Sequence, residues 1–572
     1  MNFRISQQDE SAVISLNKNT DGDILYLTVS LTMPEEKIPQ PFKVKWSFSA
    51  KDVYSTWSPS LDRIHGLYFD WSMLENKSRL ASWMPLQQLI SATGNNKLNI
   101  SLSDVDTPVS IRTGIREEDA TFDCEVEFFT VPTAPVSSYT AVIRLDMRSI
   151  PYYDSIYDTV SWWENDCGYT PAYVSESAKL PMDSLWYSFH QQLDRDKIID
   201  ECRRSKQLGM ETVIIDDGWQ TDDNNRGYAY CGDWKVAPKK MGDMASLVDE
   251  IHNIGMKIIL WYSVPFVGIY SEKYNEFRDM LLDNAGNGDN SFALDPRYKQ
   301  VRDYLVSIYA DAVRNRNLDG LKLDFIDSFV LKGKSLEYDA KRDFQSLEGA
   351  IHALMSEVKA SLIAINPDIM IEFRQSYVGP SIRKYGNMLR VGDCPCDMLK
   401  NRVNVVKLRL TSGKTAVHSD MIMWNTEDTP ENAALQFVSI LYSVPQISML
   451  IEKLPVSHYN MLKYYISFWK AHRDILLDGK LTAKNPESEY SIVSSVLDNK
   501  EIFTSYTDTV IPVSADYTVA VNGTRGNSLI IKNAYGKNYR IVDCMGNETD
   551  NSRFVSDIAE ITVPTAGMIF IQ

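Results

Sequence analysis

The feature that most constrains this chain is a unit that recurs between residues 196 and 373: an amphipathic stretch at helical spacing, then a short apolar run that ends in charge. The spacing predicts a helix over 196–208 that stops at Gly209. Thr212-Val213-Ile214-Ile215 follows and ends in Asp216-Asp217-Gly218-Trp219. The unit returns as helix 245–253 with strand 257–261, helix 299–314 with strand 320–324, and helix 344–364 with strand 369–373. Such alternation implies a parallel α/β barrel or a doubly wound sheet. The charges decide between the two. Asp216, Asp217, Lys322, Asp324, Glu372 and Arg374 all sit at C-terminal strand ends, which converge on one mouth in a barrel. No Gly-rich phosphate loop follows any of these strands, which removes support for a nucleotide-binding sheet.

On either side of this region the period changes to two. Stretches 24–31, 98–102 and 141–145 alternate apolar and polar between turn residues, as do 517–521 and 528–531. The expected layout is an N-terminal β-sandwich over 1–175, a central (β/α)8 TIM barrel over 176–480 and a small antiparallel C-terminal β-sandwich over 481–572. A helix over 464–477 is expected to close the barrel.

A net charge of -17 makes nucleic acid and anionic membranes poor partners. No run approaches the roughly 18 apolar residues of a membrane span. The seven cysteines show neither CxxC nor zinc-site spacing, so no metal and no cofactor is expected. Twelve Trp and thirty Tyr offer faces that stack on pyranose rings, which suits an oligosaccharide or glycoside partner. Residues 1–6 lack the apolar core of a signal peptide. The expected compartment is therefore cytoplasmic if Met1 is the native start, and periplasmic or secreted if a leader was removed.

Cleaving a glycoside with retention needs one carboxylate facing the anomeric carbon and an acid for the leaving oxygen. Asp324 is the first candidate. Lys322, two residues earlier on the strand, points to the same side and favours the ionised form a nucleophile needs. A buried structural ion pair would look the same. Asp393 and Asp397, in Arg390-Val391-Gly392-Asp393-Cys394-Pro395-Cys396-Asp397, are both candidates for the acid. Asp216 and Asp217 offer charged acceptors for sugar hydroxyls, and Trp219, Trp234 and Trp261 offer stacking faces.

These residues, taken in order, resemble the melibiase-type α-galactosidases of glycoside hydrolase family 36, which are related to families 27 and 31. The likeness runs through Leu185-Trp186-Tyr187, Ile215-Asp216-Asp217-Gly218-Trp219, Gly232-Asp233-Trp234, residues 255–261, Leu294-Asp295-Pro296 and Gly320-Leu321-Lys322-Leu323-Asp324. It implies Asp324 as nucleophile and Asp393 as acid/base. It also implies Asp216, Asp217 and Lys322 on the O3, O4 and O6 side of a galactose, Arg390 near the 2-hydroxyl, and Trp186 and Trp234 as pocket aromatics. Two positions depart from the family: Leu323 stands in place of a Trp, and residues 372–380, with Glu372 and Arg374, replace a Cys-Ser-Gly-Gly-Gly-Gly-Arg segment. The expectation is a retaining exo-α-glycosidase of terminal α-galactosides. The alternatives are specificity for xylose, glucose, N-acetylgalactosamine or arabinopyranose, a transglycosylase resembling raffinose synthase, and an inactive carbohydrate-binding homologue. Self-association into a homo-oligomer stays open.

Overall fold

The fold is that of a computed structural model describing residues 1–61, 66–285 and 290–572. Residues 4–146 form two facing antiparallel sheets of five and six strands. Within the strand Ile24–Lys37 every second side chain from Leu25 to Met33 is buried, with Leu25, Leu27, Val29, Leu31 and Met33 turned inward. They pack among Val44, Trp46, Ile111 and Val126 of the opposite sheet.

Eight parallel strands form the centre: Met182–Ser184, Thr212–Ile215, Lys257–Ser263, Gly320–Asp324, Met370–Arg374, Met388–Arg390, Ala416–His418 and Gln446–Ile447. Each pairs with the next in chain order through the seventh, and the eighth pairs back on the first. An isolated bridge between His418 and Val444 links the seventh strand to the chain just before the eighth, so the ring is nearly closed. Side chains turned into the barrel form layers. Met182, Ile214, Ile259, Met370 and Met388 pack together as an apolar floor with Ala178. Gly320 belongs to this floor because a Cβ there would lie 2.6 Å from the Met370 carbonyl oxygen. Two residues further along the strands the layer becomes polar, with Asp216, Trp261, Lys322, Glu372 and Arg390. The site therefore rests on a dry base.

Helices Arg195–Leu208, Met244–Ile254, Lys299–Arg316, Leu347–Ile365, Met398–Thr411, Pro430–Ser439 and Val456–Ala471 surround the ring. Each of the first two is capped by an Asp side chain and stopped by a left-handed glycine, Gly209 and Gly255.

Four features differ from the expectation. The region read as wholly β contains the helix Tyr152–Asn165, whose buried face includes Ile156, Val160 and Trp163. Between the fifth and sixth strands only the short 3₁₀ turn Ile382–Lys384 stands where a barrel helix is usual. The chain after Asn165 covers this connection: Ala172 donates its backbone N–H to the Arg383 carbonyl at 2.9 Å, and Asn387 Nδ2 donates to the Tyr173 carbonyl at 3.1 Å. The expected closing helix is two helices, Val456–Ala471 and Arg473–Asp478, because His472 leaves the helical region with φ -122° and ψ 18°. The C-terminal sheets are not purely antiparallel: Lys500–Ser505 runs parallel to Tyr517–Asn522, and Val510–Pro512 parallel to Ser528–Lys532. Among the described residues no helix is long and apolar enough to cross a membrane.

Candidate active site

At the C-terminal mouth a cavity of about 250 Å3 is lined by Trp186, Asp216, Asp217, Tyr228, Trp261, Lys322, Asp324, Phe325, Arg374, Arg390 and Asp393. That is smaller than the roughly 300–1,000 Å3 of drug-sized pockets and suits a single small polar ring. Among the described residues no group of three or more His, Cys, Asp or Glu stands close enough to hold a metal ion.

Asp324 ends the fourth strand and is buried. Its Oδ1 accepts from Arg374 Nε at 2.6 Å, Tyr377 Oη at 2.9 Å and the Phe325 backbone N–H at 2.8 Å. Its Oδ2 accepts from Trp261 Nε1 at 3.1 Å. Burial pushes the carboxyl up, but Arg374, then Lys322 and Arg390, outweigh it and hold it well below the usual carboxylate range.

Lys322 donates to Asp216 Oδ2 at 2.5 Å, both side chains being buried. Burial works against the ammonium, and Asp216 more than restores it, so Lys322 stays charged. Asp217 sits in the turn after the second strand, where it accepts from Gln191 Nε2 and Gln220 Nε2, each at 2.6 Å. Burial pushes this carboxyl up to about 6 in spite of both amides.

Arg390 is fully buried at the end of the sixth strand. Its Nη1 reaches Asp393 Oδ1 at 2.9 Å and Asp420 Oδ1 at 2.6 Å. Asp393 stands at the rim with 54% of its side chain exposed. Burial raises its carboxyl, yet Arg390 and then Lys322 bring it below its ordinary value, while the charge of Asp324 works in the opposite direction. Asp397 instead caps the helix Met398–Thr411 by accepting from the Lys400 backbone N–H.

The cavity brings together most of the sugar-binding candidates and leaves three outside. Trp219 is buried behind the wall, donating its indole N–H to the Trp261 carbonyl at 2.9 Å and stacking on Trp234 at 6.0 Å. Both rings thus fill the space behind Trp261, and neither lines the cavity. Glu372 lies below it, where Oε2 accepts from Gln446 Nε2 at 2.5 Å; burial pushes its carboxyl up against the pull of Lys322 and Arg390. Gln446 reaches His418 Nδ1, and His418 Nε2 donates to the Ala178 carbonyl, tying the polar layer to the floor.

Tyr228 and Phe325 line the cavity without having been singled out, and Tyr377 and Asp420 hold its charged groups. Asp420 was the most detectable, being another acid just past a strand, but Ala416–His418 is too short to show a period. It accepts from Tyr187 Oη at 2.9 Å and from the Cys394 backbone N–H at 2.6 Å, anchoring the loop that carries Asp393.

An eight-stranded parallel barrel with paired acids, a lysine and an arginine at one mouth is an arrangement that suits glycoside hydrolysis. Residues 176–379 match the Melibiase family model. An α-galactosidase of Lactobacillus acidophilus is 28% identical over 197 residues, 33% of this chain and 26% of that protein. One from Geobacillus stearothermophilus is 27% identical over 146 residues, 24% of this chain and 20% of that protein. The chain thus matches a fifth to a quarter of the length of these curated relatives. The solved galactosidase domain of an α-galactosidase–sucrose kinase superposes over 98% of this chain and 80% of that one, with a TM-score of 0.65 at 13% identity. A family 36 α-galactosidase from Geobacillus stearothermophilus in complex with stachyose covers 100% and 86%, with a TM-score of 0.63 at 14% identity. These two structures share the fold. Over residues 176–379 the chain resembles the melibiase-type group of glycoside hydrolase family 36.

Proposed function

We propose that this chain is a retaining exo-α-galactosidase acting by double displacement, with Asp324 as nucleophile and Asp393 as acid/base. The observation that carries the reading is the pairing of a buried, ionised Asp324 with a rim-exposed Asp393 around one small cavity. A lone pair of Asp324 forms the bond to the anomeric carbon. The glycosidic C–O bond breaks with its electrons going to the leaving oxygen, which takes the proton of Asp393. The charge of Asp324 raises the affinity of Asp393 for that proton. Once Asp324 is esterified that charge is gone, so Asp393 stays ionised until it takes a proton from the attacking water, and it keeps that proton for the next turnover when the carboxylate of Asp324 is released.

Asp216, Asp217 and Lys322 supply two acceptors and a donor on one side of the cavity, fitting the axial 4-hydroxyl and the 6-hydroxyl of galactose. Family 36 neighbours are recorded in complex with raffinose and with stachyose. Short α-galactosyl-capped oligosaccharides are accordingly the proposed substrates. A site that hydrogen-bonds a hydroxyl rejects the epimer because its own buried groups are left unpaired. In a screen of nitrophenyl α-glycosides, kcat/KM for the galactoside is expected to exceed that for the glucoside at least about a hundredfold, roughly 2.7 kcal/mol. Equal rates, or activity on the xyloside alone, would defeat the reading.

A pH expectation comes from Asp217. Its carboxyl, pushed up to about 6 by burial, must be ionised to accept from two sugar hydroxyls. As pH falls through that value it becomes protonated, so kcat/KM should drop about tenfold per unit below it. Asp217→Asn is expected to lose this acid limb together with most galactoside activity. A wild-type profile flat down to about pH 4.5 would remove Asp217 from sugar binding.

A further inference from the structure

Resting on the double-displacement reading, we propose that Arg374 and Tyr377 are positioning residues. They clamp Asp324 by Oδ1 and thereby commit Oδ2 to bond formation with the sugar. Both belong to the stretch that replaces the family's Gly-rich segment, so the device comes from this chain's own residues.

The geometry is one-sided. Oδ1 receives three donors, from Arg374, Tyr377 and the Phe325 backbone, at 2.6–2.9 Å. Among the described residues Oδ2 receives only Trp261 Nε1, at 3.1 Å. A carboxylate oxygen with about two in-plane lone-pair sites is saturated by three donors, whereas one with a single donor keeps a lone pair for attack. The clamp is itself held. Arg374 Nη1 donates to the Gln375 carbonyl at 2.8 Å, and the guanidinium stands 5.0 Å from the centre of the Phe325 ring and 5.6 Å from that of Tyr377. Phe325 has φ 66°, a left-handed turn that brings its N–H onto Oδ1.

The N-terminal sandwich braces the same two segments. Arg79 donates to the carbonyls of Asp327 and Phe329, both at 2.6 Å, and the Trp83 N–H donates to the Ser376 carbonyl at 2.7 Å. Ser376 Oγ in turn donates to Asp327 Oδ2 at 3.1 Å.

In the first step the Oδ2 lone pair forms the bond to C1, and the leaving oxygen departs with the electrons of the old bond and the proton of Asp393. Oδ1 becomes the ester carbonyl oxygen. It keeps the Tyr377 hydrogen bond while its attraction to Arg374 weakens. In the second step water, deprotonated by Asp393, displaces Oδ2 and the carboxylate returns to the clamp.

The experiment pairs trapping with titration in the full chain. In the structure of enzyme inactivated by 5-fluoro-α-galactosyl fluoride, C1 is expected on Oδ2, with Oδ1 still on Tyr377 and Arg374. A bond from C1 to Oδ1 would overturn the proposal. 13C titration of the aspartate carboxyls should place Asp324 higher in Arg374→Gln than in the wild type and less so in Tyr377→Phe, with Arg374→Lys recovering most of the shift. A merely structural role would lower kcat and leave the Asp324 titration where it is in the wild type, and that result would also sink the clamp. Wild-type protein inert toward every aryl α-glycoside would defeat the proposed function instead. In that event 13C titration of the aspartate carboxyls still tests the clamp, because Asp324 should titrate higher in Arg374→Gln than in the wild type. An unchanged Asp324 titration would overturn it.

Discussion

Replacing Asp324 with alanine is expected to lower kcat on aryl α-galactosides by at least about four orders of magnitude, because it removes the proposed nucleophile. The other carboxylates carry the proposed separate roles and have their own partners: Asp216 pairs with Lys322, Asp217 with two glutamine amides, and Asp393 with Arg390. The substitution also leaves Arg374 facing Lys322 and Arg390 without its carboxylate, so Asp324→Asn is the proper companion. Asn keeps a carbonyl for Tyr377 and should be equally dead while melting near the wild-type temperature. Turnover above about a tenth of wild type in either variant would remove Asp324 from the nucleophile's role.

The second large effect concerns the leaving group. Asp393→Ala should lose alkyl galactosides by about 10³-fold or more and activated aryl galactosides far less, since only the former need a proton as the bond breaks. Azide should partly restore the aryl rate by attacking the glycosyl-enzyme in place of activated water, giving an α-galactosyl azide. Asp397→Ala is the internal control. It loses a helix cap worth about 1 kcal/mol, so its cost should appear as stability with the substrate pattern unchanged. If Asp397→Ala shows the aryl–alkyl split and Asp393→Ala does not, the acid is the wrong one of the two.

The barrel was legible because its signal is local. A helix, a glycine stop and a charged strand end recur at short range along the chain, and the helices Arg195–Leu208 and Met244–Ile254 stop where Gly209 and Gly255 require. Strands of two or three residues carry no period, so the seventh and eighth, and with them Asp420, could not be read. The alternation along the strands placed Asp216, Lys322, Asp324 and Arg374 around one cavity, because position two steps along a strand fixes the side. It could not separate a tryptophan facing the cavity from one packed behind it. Trp261 and Trp219 are both buried, and only the tertiary wall between them decides which touches a ligand. The helix Tyr152–Asn165 was missed because its aromatic and β-branched residues carry strand propensity, overridden by packing on the barrel.

That helix and the chain after it bear on how the protein can be cut and recombined. Trp163 donates to the Leu102 carbonyl in the sandwich, while some ten residues on the backbone is bonded to the connection between the fifth and sixth barrel strands. A truncated chain beginning at residue 176 would strip the cover from that connection and leave the buried Arg383 without Glu164. The smallest piece able to fold therefore begins before Tyr152, and the sandwich and barrel should melt as one cooperative unit. For chimeras with proteins of the same fold, the useful joint lies in the turn at 147–151, where the chain leaves the last sandwich strand and enters the helix. Grafting a foreign sandwich there would also have to rebuild the Arg79 and Trp83 contacts, so exchanging a domain outside the cavity would shift the segments that hold Asp324.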